Sequence, residues 1–268
     1  MDQLHQKKEE LEQLLRSYGR VAVAFSGGVD STFLLKVAHD ALGANAVALT
    51  AQPRSFPQRE REAAAAFCRT EGVEQIVVAF DELTVPGFRE NPPNRCYLCK
   101  RALFTQMLAA SRERGAAVLC EGSNLDDMGD YRPGLKALEE LGVKSPLRAV
   151  GLTKAEIRAL SKELGLPTWD KPSMACLSTR FVYGETITAE KLRMVEQAEQ
   201  LLLDLSLRQV RVRVHGSLAR IEVDPAEFPR LIRPETRARV NEQLERLGFS
   251  YVTLDLGGYV TGSMNKGI

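Results

Sequence analysis

Short, almost wholly apolar segments alternate with amphipathic helical segments through the first two thirds of this 268-residue chain. The predicted strands cover residues 20–25, 46–51, 75–80 and 116–121, and the predicted helices cover residues 3–17, 30–42, 57–71, 100–114 and 153–164. Strands this apolar are typical of a parallel sheet that is buried on both faces. With right-handed crossovers, the pattern predicts a doubly wound open α/β domain whose ligands bind beyond the carboxyl ends of the strands.

The pattern changes after about residue 175. The predicted elements there are a helix over 188–205, strands over 210–214 and 218–223, a helix over 234–247 and a strand over 251–256. This α-β-β-α-β order, with a tight hairpin, predicts a smaller α+β domain. We therefore expect two domains, over residues 1–170 and 171–268.

Charge and hydropathy exclude several classes of protein. The chain has 36 Lys and Arg against 35 Asp and Glu, a formal net charge of +1, which provides no general attraction to nucleic acid. No apolar run approaches the roughly 18 residues that a membrane span needs. The charged N-terminus lacks the apolar centre of a signal peptide. We expect a cytoplasmic protein with no membrane or nucleic-acid partner.

The most informative motif lies where the first strand ends and a helix begins. Two glycines there allow the backbone N–H groups to face an anion, hydroxyl groups add donors, and a carboxylate can hold Mg²⁺. The candidate ATP-binding residues are Ser26, Gly27, Gly28, Asp30 and Ser31. A capped glycine turn is the alternative, but the six-residue motif resembles the PP-loop of N-type ATP pyrophosphatases, and the sequence fits neither Walker A nor GxGxxG.

A second polar loop follows the strand predicted over 116–121. Its candidate nucleotide-binding residues are Gly122, Asp127, Asp130 and Arg132. If this loop lies beside the first one, its acidic groups can join a magnesium site and its arginine can meet a phosphate. A solvated polar loop is the alternative interpretation.

Three of the five cysteines occur in settings that favour chemistry. Cys96 and Cys99 are spaced one helical turn apart near Lys100, where positive charge favours thiolates. A lone CxxC is also compatible with half a zinc site, a redox pair or chance. Cys176 lies in a polar and basic loop at the predicted domain junction, and three thiolates without a fourth ligand would leave one corner of a [4Fe–4S] cluster open.

The other two cysteines are interpreted as core residues. Cys68 falls in an alanine-rich helical run and Cys120 in an apolar strand. Small buried thiols of this kind pack as apolar side chains. No histidine is placed to complete a closed zinc site with the three remaining cysteines.

Taken together, these segments resemble the LarE family of PP-loop sulfur transferases almost from end to end. The resemblance includes residues 26–31, 130–134, 176–184, 211–213, 219–222 and 251–258. It implies that Mg-ATP adenylates a carboxylate of pyridinium-3,5-biscarboxylic acid mononucleotide. The activated group then becomes a thiocarboxylate for the nickel-pincer cofactor of lactate racemase. It also implies a homo-oligomer.

The resemblance assigns further candidate residues. Arg211 and Arg213 project from one face of a predicted strand and suit a substrate phosphate, although an exposed strand face is the alternative. Glu199 and Glu222 match acidic family positions that serve in metal binding or proton transfer. The candidate catalytic residues are Cys176, Asp30, Lys100, Arg180 and Glu199, with Lys171 and Arg180 flanking the cysteine in sequence.

The sulfur source has two interpretations. Family members with only the cysteine that corresponds to Cys176 give up its own sulfur, whereas members that also contain CxxC are thought to hold a [4Fe–4S] cluster carrying an extra sulfide. Because Cys96 and Cys99 are present, the sequence is similar to the second group. The rival functions are a tRNA thiolase of the same superfamily and a non-catalytic ATP- or redox-sensing module.

Overall fold

The structure is a computed structural model that describes residues 3–129, 133–260 and 262–264. The chain forms two compact units, Met1–Glu82 with Cys96–Met174 and Leu83–Arg95 with Ala175–Ile268. The predicted boundary lay between residues 170 and 171. In the structure, residues 171–174 belong to the first unit and the segment 83–95 belongs to the second. The assignment of one function to each predicted domain stays a prediction.

A four-stranded parallel sheet organises the first unit, in the order β3-β2-β1-β4. Its strands are β1 (Val21–Ala24), β2 (Ala46–Ala51), β3 (Gln75–Val78) and β4 (Val118–Cys120). The predicted α/β class is confirmed. Because β1 pairs in parallel with both β2 and β4, the carboxyl ends of β1 and β4 are adjacent at one edge of the sheet.

Seven helices accompany this sheet in the described part of the chain. They are α1 (Gln3–Tyr18), α2 (Val29–Leu42), α3 (Gln58–Glu71), α4 (Arg95–Glu113), α5 (Pro133–Glu140), α6 (Pro146–Ala149) and α7 (Lys154–Glu163). The five predicted helices are confirmed with shifts of a few residues at their ends, whereas the short α5 and α6 were not predicted. No helix within the described ranges is long and apolar enough to cross a membrane.

Helix α2 is the most deeply packed helix of the first unit. Eight of its fourteen residues are buried, among them Phe33, Leu34 and Leu35, which are adjacent in sequence and therefore point in different directions. Helix α2 contacts α1, α7 and the strands β1 and β2. Close packing around the helix fixes its N-terminus relative to the sheet.

A three-stranded mixed sheet organises the second unit, in the order β5-β6-β7. Its elements are α8 (Ala189–Asp204), β5 (Val210–His215), β6 (Leu218–Val223), α9 (Phe228–Leu231), α10 (Pro234–Arg246) and β7 (Tyr251–Leu254). Strands β5 and β6 form the expected antiparallel hairpin, and β7 pairs in parallel with β6. The predicted α+β order is confirmed, with the four-residue α9 added.

The early segment 83–95 belongs to the second unit through backbone pairing. Ile187 donates its N–H to the carbonyl of Arg89 at 2.8 Å, and Gly184 donates to the carbonyl of Asn91 at 3.0 Å. Asn91 is fully buried and has φ +52°, a left-handed conformation that asparagine tolerates better than most residues. This long-range pairing leaves no periodic signal in the sequence.

Replacing Asn91 with alanine is expected to destabilise the second unit. The Asn91 side chain donates to the carbonyl of Val182 at 2.7 Å and accepts a hydrogen bond from Arg95. Losing both bonds and leaving their buried partners unsatisfied costs about 3 kcal/mol. Thermal unfolding should show a melting temperature lower by about 6–12 °C. The exposed Asn94→Ala is the matched control, and equal melting of the two variants would contradict the argument.

Candidate functional site

The predicted anion-binding loop lies between β1 and α2. Gly27 has φ +67°, and Gly28 is the N-cap of α2 with an extended backbone. The N–H of Ser26 donates to Oγ of Ser31 at 3.3 Å, and the two hydroxyl oxygens lie 3.1 Å apart. The loop therefore presents backbone N–H groups and two hydroxyl groups at the N-terminus of a buried helix, an arrangement that suits phosphate.

Two glycines lie so close to neighbouring atoms that a side chain at either position would be crowded. A Cβ on Gly122 would lie 3.0 Å from the backbone nitrogen of Ser31 and 3.3 Å from Cβ of Asp30. A Cβ on Gly27 would lie 3.3 Å from Cβ of Ala64 in α3 and would also be strained by the positive φ. The loop after β4 thus lies directly against the loop after β1.

The carboxylate of Asp30 has two partners at this edge of the sheet. Asn124 donates its side-chain N–H to Asp30 at 3.3 Å, and the ammonium group of Lys154 forms an ion pair with the other carboxylate oxygen. Asn124 also donates its backbone N–H to Asp127 at 2.9 Å, so one residue connects both predicted acidic groups. Sequence reasoning missed Lys154, which carries no signal except its place as the first residue of α7.

Lys100 passes beneath helix α5. A Cβ on Gly134 would lie 2.6 Å from Cδ of Lys100, so the glycine leaves the space that the lysine stem occupies. The stem of Lys100, a predicted catalytic residue, therefore lies against helix α5. Asp130 and Arg132, two further predicted nucleotide-binding residues, lie outside the described residues.

The five cysteines divide by burial. Cys68 and Cys120 are buried, and desolvation raises their pKa values to about 11 and about 12, so both remain neutral thiols near neutral pH. Their interpretation as core residues agrees with this burial. Cys96 and Cys99 are half-buried near the N-terminus of α4.

Cys176 is exposed and forms the N-cap of the short 3-10 helix Leu177–Arg180 in the second unit. Whether it meets Cys96 and Cys99 stays a prediction. Within either unit, the described residues contain no group of three His, Cys, Asp or Glu side chains placed to hold a metal ion.

A buried ion pair organises the turn that carries Cys176. The guanidinium of Arg180 bonds both carboxylate oxygens of Glu199, at 2.8 and 3.0 Å, and their side chains are 0% and 1% exposed. The remaining terminal nitrogen of Arg180 donates to the carbonyls of Ala175 and Cys176 at 3.0 and 3.3 Å. Arg180 therefore holds the backbone of the turn.

The predicted arginine pair on β5 is buried. Arg213 bonds Glu222 through two nitrogens at 3.0 and 2.8 Å, and Glu222 also accepts from Arg220 at 3.2 Å. Arg211 packs over the ring of Tyr259, 5.1 Å from its centroid. Burial, followed by repulsion from a neighbouring guanidinium, lowers the pKa of Arg211 to about 10.

Arginine side chains are concentrated in this cluster. Its described charged side chains include four guanidinium groups and three carboxylates, those of Arg180, Arg211, Arg213, Arg220, Glu199, Glu222 and Asp255. Buried charges require partners, because desolvation of an unpaired ion is expensive. Several guanidinium groups close together are the donors that suit an anion such as a phosphate.

Relatives of this chain settle its family. No family model matches the sequence. It is 43% identical to an uncharacterized protein of Synechocystis sp., over 98% of each chain. It is 39% identical to the pyridinium-3,5-bisthiocarboxylic acid mononucleotide synthase of Lactiplantibacillus plantarum, over 99% of this chain and 96% of that protein. The chain belongs to the LarE family of PP-loop sulfur transferases.

A more distant match places the LarE family among other PP-loop enzymes. The chain is 30% identical to the tRNA-specific 2-thiouridylase MnmA of Azorhizobium caulinodans, over 65% of this chain and 54% of that protein. The expected resemblance to the LarE family is confirmed, and with it the enzyme class, an ATP-using sulfur transferase.

Replacing Glu199 with glutamine is expected to loosen the Cys176 turn. Burial alone would raise the pKa of Glu199, but Arg180 together with Arg211 and the N–H of Val212 lowers it below its ordinary value of 4.5. The pair therefore contributes stability above about pH 4.5 and loses it as the pH falls further. At pH 7 the variant should be less stable by about 3–5 kcal/mol, because a buried guanidinium loses its counter-charge.

Chemical unfolding at several pH values measures this difference. The gap between wild type and Glu199→Gln should narrow below about pH 4.5. The exposed Glu190→Gln in the same helix is the matched control and should unfold like wild type. A gap that stays constant with pH would show that the ionised carboxylate does not stabilise the turn.

Proposed function

We propose that this chain adenylates a carboxylate of pyridinium-3,5-biscarboxylic acid mononucleotide and converts it into a thiocarboxylate, as a step towards the nickel-pincer cofactor. The observation that carries the proposal is the 39% identity to the synthase of Lactiplantibacillus plantarum over nearly the whole of both chains. The matched region spans both compact units, so it covers the positions of the anion-binding loop and of the arginine-rich hairpin.

Chemistry explains why such an enzyme would use ATP. A carboxylate is a poor acceptor for a sulfur nucleophile, because its oxygen is a poor leaving group. Attack of the carboxylate on the α-phosphorus of ATP forms an acyl adenylate and releases pyrophosphate. Attack of sulfur on the acyl carbon then forms the thiocarboxylate and releases AMP.

The first unit supplies the residues for nucleotide binding in this scheme. The pyrophosphate part of ATP binds the loop built by Ser26, Gly27, Gly28 and Ser31. The Asp30 carboxylate would hold Mg²⁺, which supplies charge neutralisation on the phosphates when bound. The fit rests on oxygen chemistry: Asp30 and Asp127 both contact Asn124 at the edge where the loop lies.

Further residues around the loop have proposed roles at the phosphates. Gly122 lets its backbone lie close to the nucleotide, and Lys100 supplies positive charge near the reacting phosphate. Asp130 and Arg132 complete the nucleotide site. The packing of Gly122 against Asp30 and Ser31 supports the first assignment.

The second unit supplies the residues for the substrate. Arg211 and Arg213 bind the phosphate of the mononucleotide, and the concentration of guanidinium groups around β5 supports this role. The ion pairs of Glu199 and Glu222 with arginines favour a role in orienting guanidinium groups over metal binding or proton transfer. Cys176 takes part in sulfur transfer on a turn held by Arg180.

The cysteines fit an iron–sulfur cluster by the chemistry of their thiols. Cys96, Cys99 and Cys176 would hold it, since the buried Cys68 and Cys120 have raised pKa values that disfavour the thiolate. A [4Fe–4S] cluster with three protein ligands supplies one iron with an open position for sulfide. The alternative source of sulfur is the side chain of Cys176 itself.

A tRNA substrate is the second candidate, favoured by the 30% identity to the 2-thiouridylase. Two observations weigh against it. The chain spans only 54% of that protein, and its net charge of +1 provides little electrostatic affinity for RNA.

Anaerobic protein supplied with Mg-ATP, a sulfide source and the biscarboxylic mononucleotide is expected to release AMP and pyrophosphate. Mass spectrometry should find a product in which sulfur replaces a carboxylate oxygen. In a parallel reaction, tRNA should neither stimulate AMP release nor acquire sulfur. AMP release with tRNA and none with the mononucleotide would reject the proposed substrate.

Substitution of single cysteines tests the cluster. Iron and sulfide analysis of anaerobically reconstituted wild type should find about four of each per chain. Cys96→Ser, Cys99→Ser and Cys176→Ser should lose most of this iron, whereas the matched control Cys68→Ser should retain it.

The same variants distinguish the two sources of sulfur. If Cys176 donates its own sulfur, a Cys96→Ser/Cys99→Ser variant would still complete one turnover and its intact mass would fall by one H₂S. That outcome would reject the cluster as the source. Loss of turnover together with the iron would support it.

A further inference from the structure

Lys171 contacts the anion-binding loop from the side of helix α3. Its ammonium group donates to the carbonyl oxygen of Gly27 at 3.0 Å and forms an ion pair with Glu60 of α3. Sequence analysis noted this lysine only as a neighbour of Cys176 in the chain. The structure adds a contact with the backbone of the proposed ATP site.

The main chain of Lys171 is fixed as well as its side chain. Its N–H donates to the carbonyl of Thr168 at 3.0 Å, and its own carbonyl accepts a hydrogen bond from Arg158 at 2.7 Å. Both ends of the residue are therefore held within the first unit. Because its main chain and its ammonium group are both held, the lysine can set the position of a group that it binds.

The ion pair with Glu60 holds the ammonium group of Lys171 on the α3 side of the loop. Glu60 is only 6% exposed, and a buried carboxylate requires a cation. Ala64 lies one turn further along the same face of α3, and its Cβ is the atom that a side chain at Gly27 would meet. One face of α3 thus provides both the counter-charge for Lys171 and the wall behind the glycine.

Peptide geometry connects the lysine to phosphate binding. The Gly27–Gly28 peptide is trans and planar, so its C=O and N–H point in opposite directions. Because Lys171 binds the carbonyl of Gly27 on the α3 side, the N–H of Gly28 faces the other way. Successive N–H groups turned to a common side form the anion-binding concavity of such loops.

We propose that Lys171 is a positioning residue of the ATP site. Together with Glu60 it fixes the Gly27–Gly28 peptide in the orientation that directs the Gly28 N–H at the pyrophosphate part of ATP. The inference rests on the proposed function for the identity of the nucleotide, and it assigns to Lys171 a role in binding pyrophosphate. AMP lacks the pyrophosphate group, so its binding affinity should not depend on Lys171.

Calorimetric binding of Mg-ATP, Mg-pyrophosphate and AMP to Lys171→Met tests the proposal. Affinity for ATP and pyrophosphate should fall by about tenfold or more, the effect of losing the charge-assisted hydrogen bond from the Gly28 N–H to the phosphate. Affinity for AMP should stay within about twofold of wild type. Lys171→Arg keeps the charge and the donors and should recover much of the loss.

Lys162→Met is the matched control, because Lys162 lies in the adjacent helix α7 over the ring of Trp169 and should change none of the three affinities. Equal losses for AMP and pyrophosphate would assign Lys171 a general folding role and overturn the proposal, as would unchanged pyrophosphate affinity. If Lys171→Met does not fold in a thermal melt, Glu60→Gln provides the same test and should weaken pyrophosphate binding selectively.

Failure of the proposed function gives a different result. Wild-type protein that binds neither Mg-ATP nor pyrophosphate would reject the ATP-dependent reaction itself. Wild-type binding that Lys171→Met leaves unchanged would reject only the positioning role.

Discussion

The structure of the first unit depends on one constraint, the backbone turn between β1 and α2. Gly27 gives that turn its positive φ and, without a side chain, lies close to Ala64, while Gly122 of the second loop lies close to Ser31. Helix α2 is packed on several sides, so its N-terminus and dipole stay fixed at the edge of the sheet. Parallel pairing of β1 with β4 brings the second polar loop to the same edge.

In the second unit, buried ion pairs hold the candidate functional residues in position. Burying Arg180 and Glu199 costs solvation free energy, which their bidentate hydrogen bonds and the N–H of Val212 offset. In return the pair connects α8, β5 and the turn of Cys176 at fixed distances. An exposed thiol on a turn with a rigid backbone combines access to reagents with a defined position.

Several features could be predicted from sequence because their signals are local. The strands are continuous apolar runs, and the loop at residues 26–31 contains its glycines, hydroxyls and carboxylate within one turn. The burial of Cys68 and Cys120 followed from their apolar neighbours. By contrast, Lys154 was missed because its partner Asp30 is 124 residues away in the chain. The segment 83–95 was assigned to the first domain because backbone pairing with residues 184–187 has no compositional signature.

By itself, the sequence determined the α/β and α+β classes, the order of the strands and helices, and the anion-binding motif. The fold classes and the element order depend on the spacing of apolar residues along the chain. The motif depends on residue types within a few positions of one another. Only the tertiary structure decided that Arg180 holds the backbone around Cys176 and that Lys171 binds the carbonyl of Gly27. A charged side chain several bonds long can reach many partners, and burial of a specific counter-charge or carbonyl selects one of them only after the chain has folded.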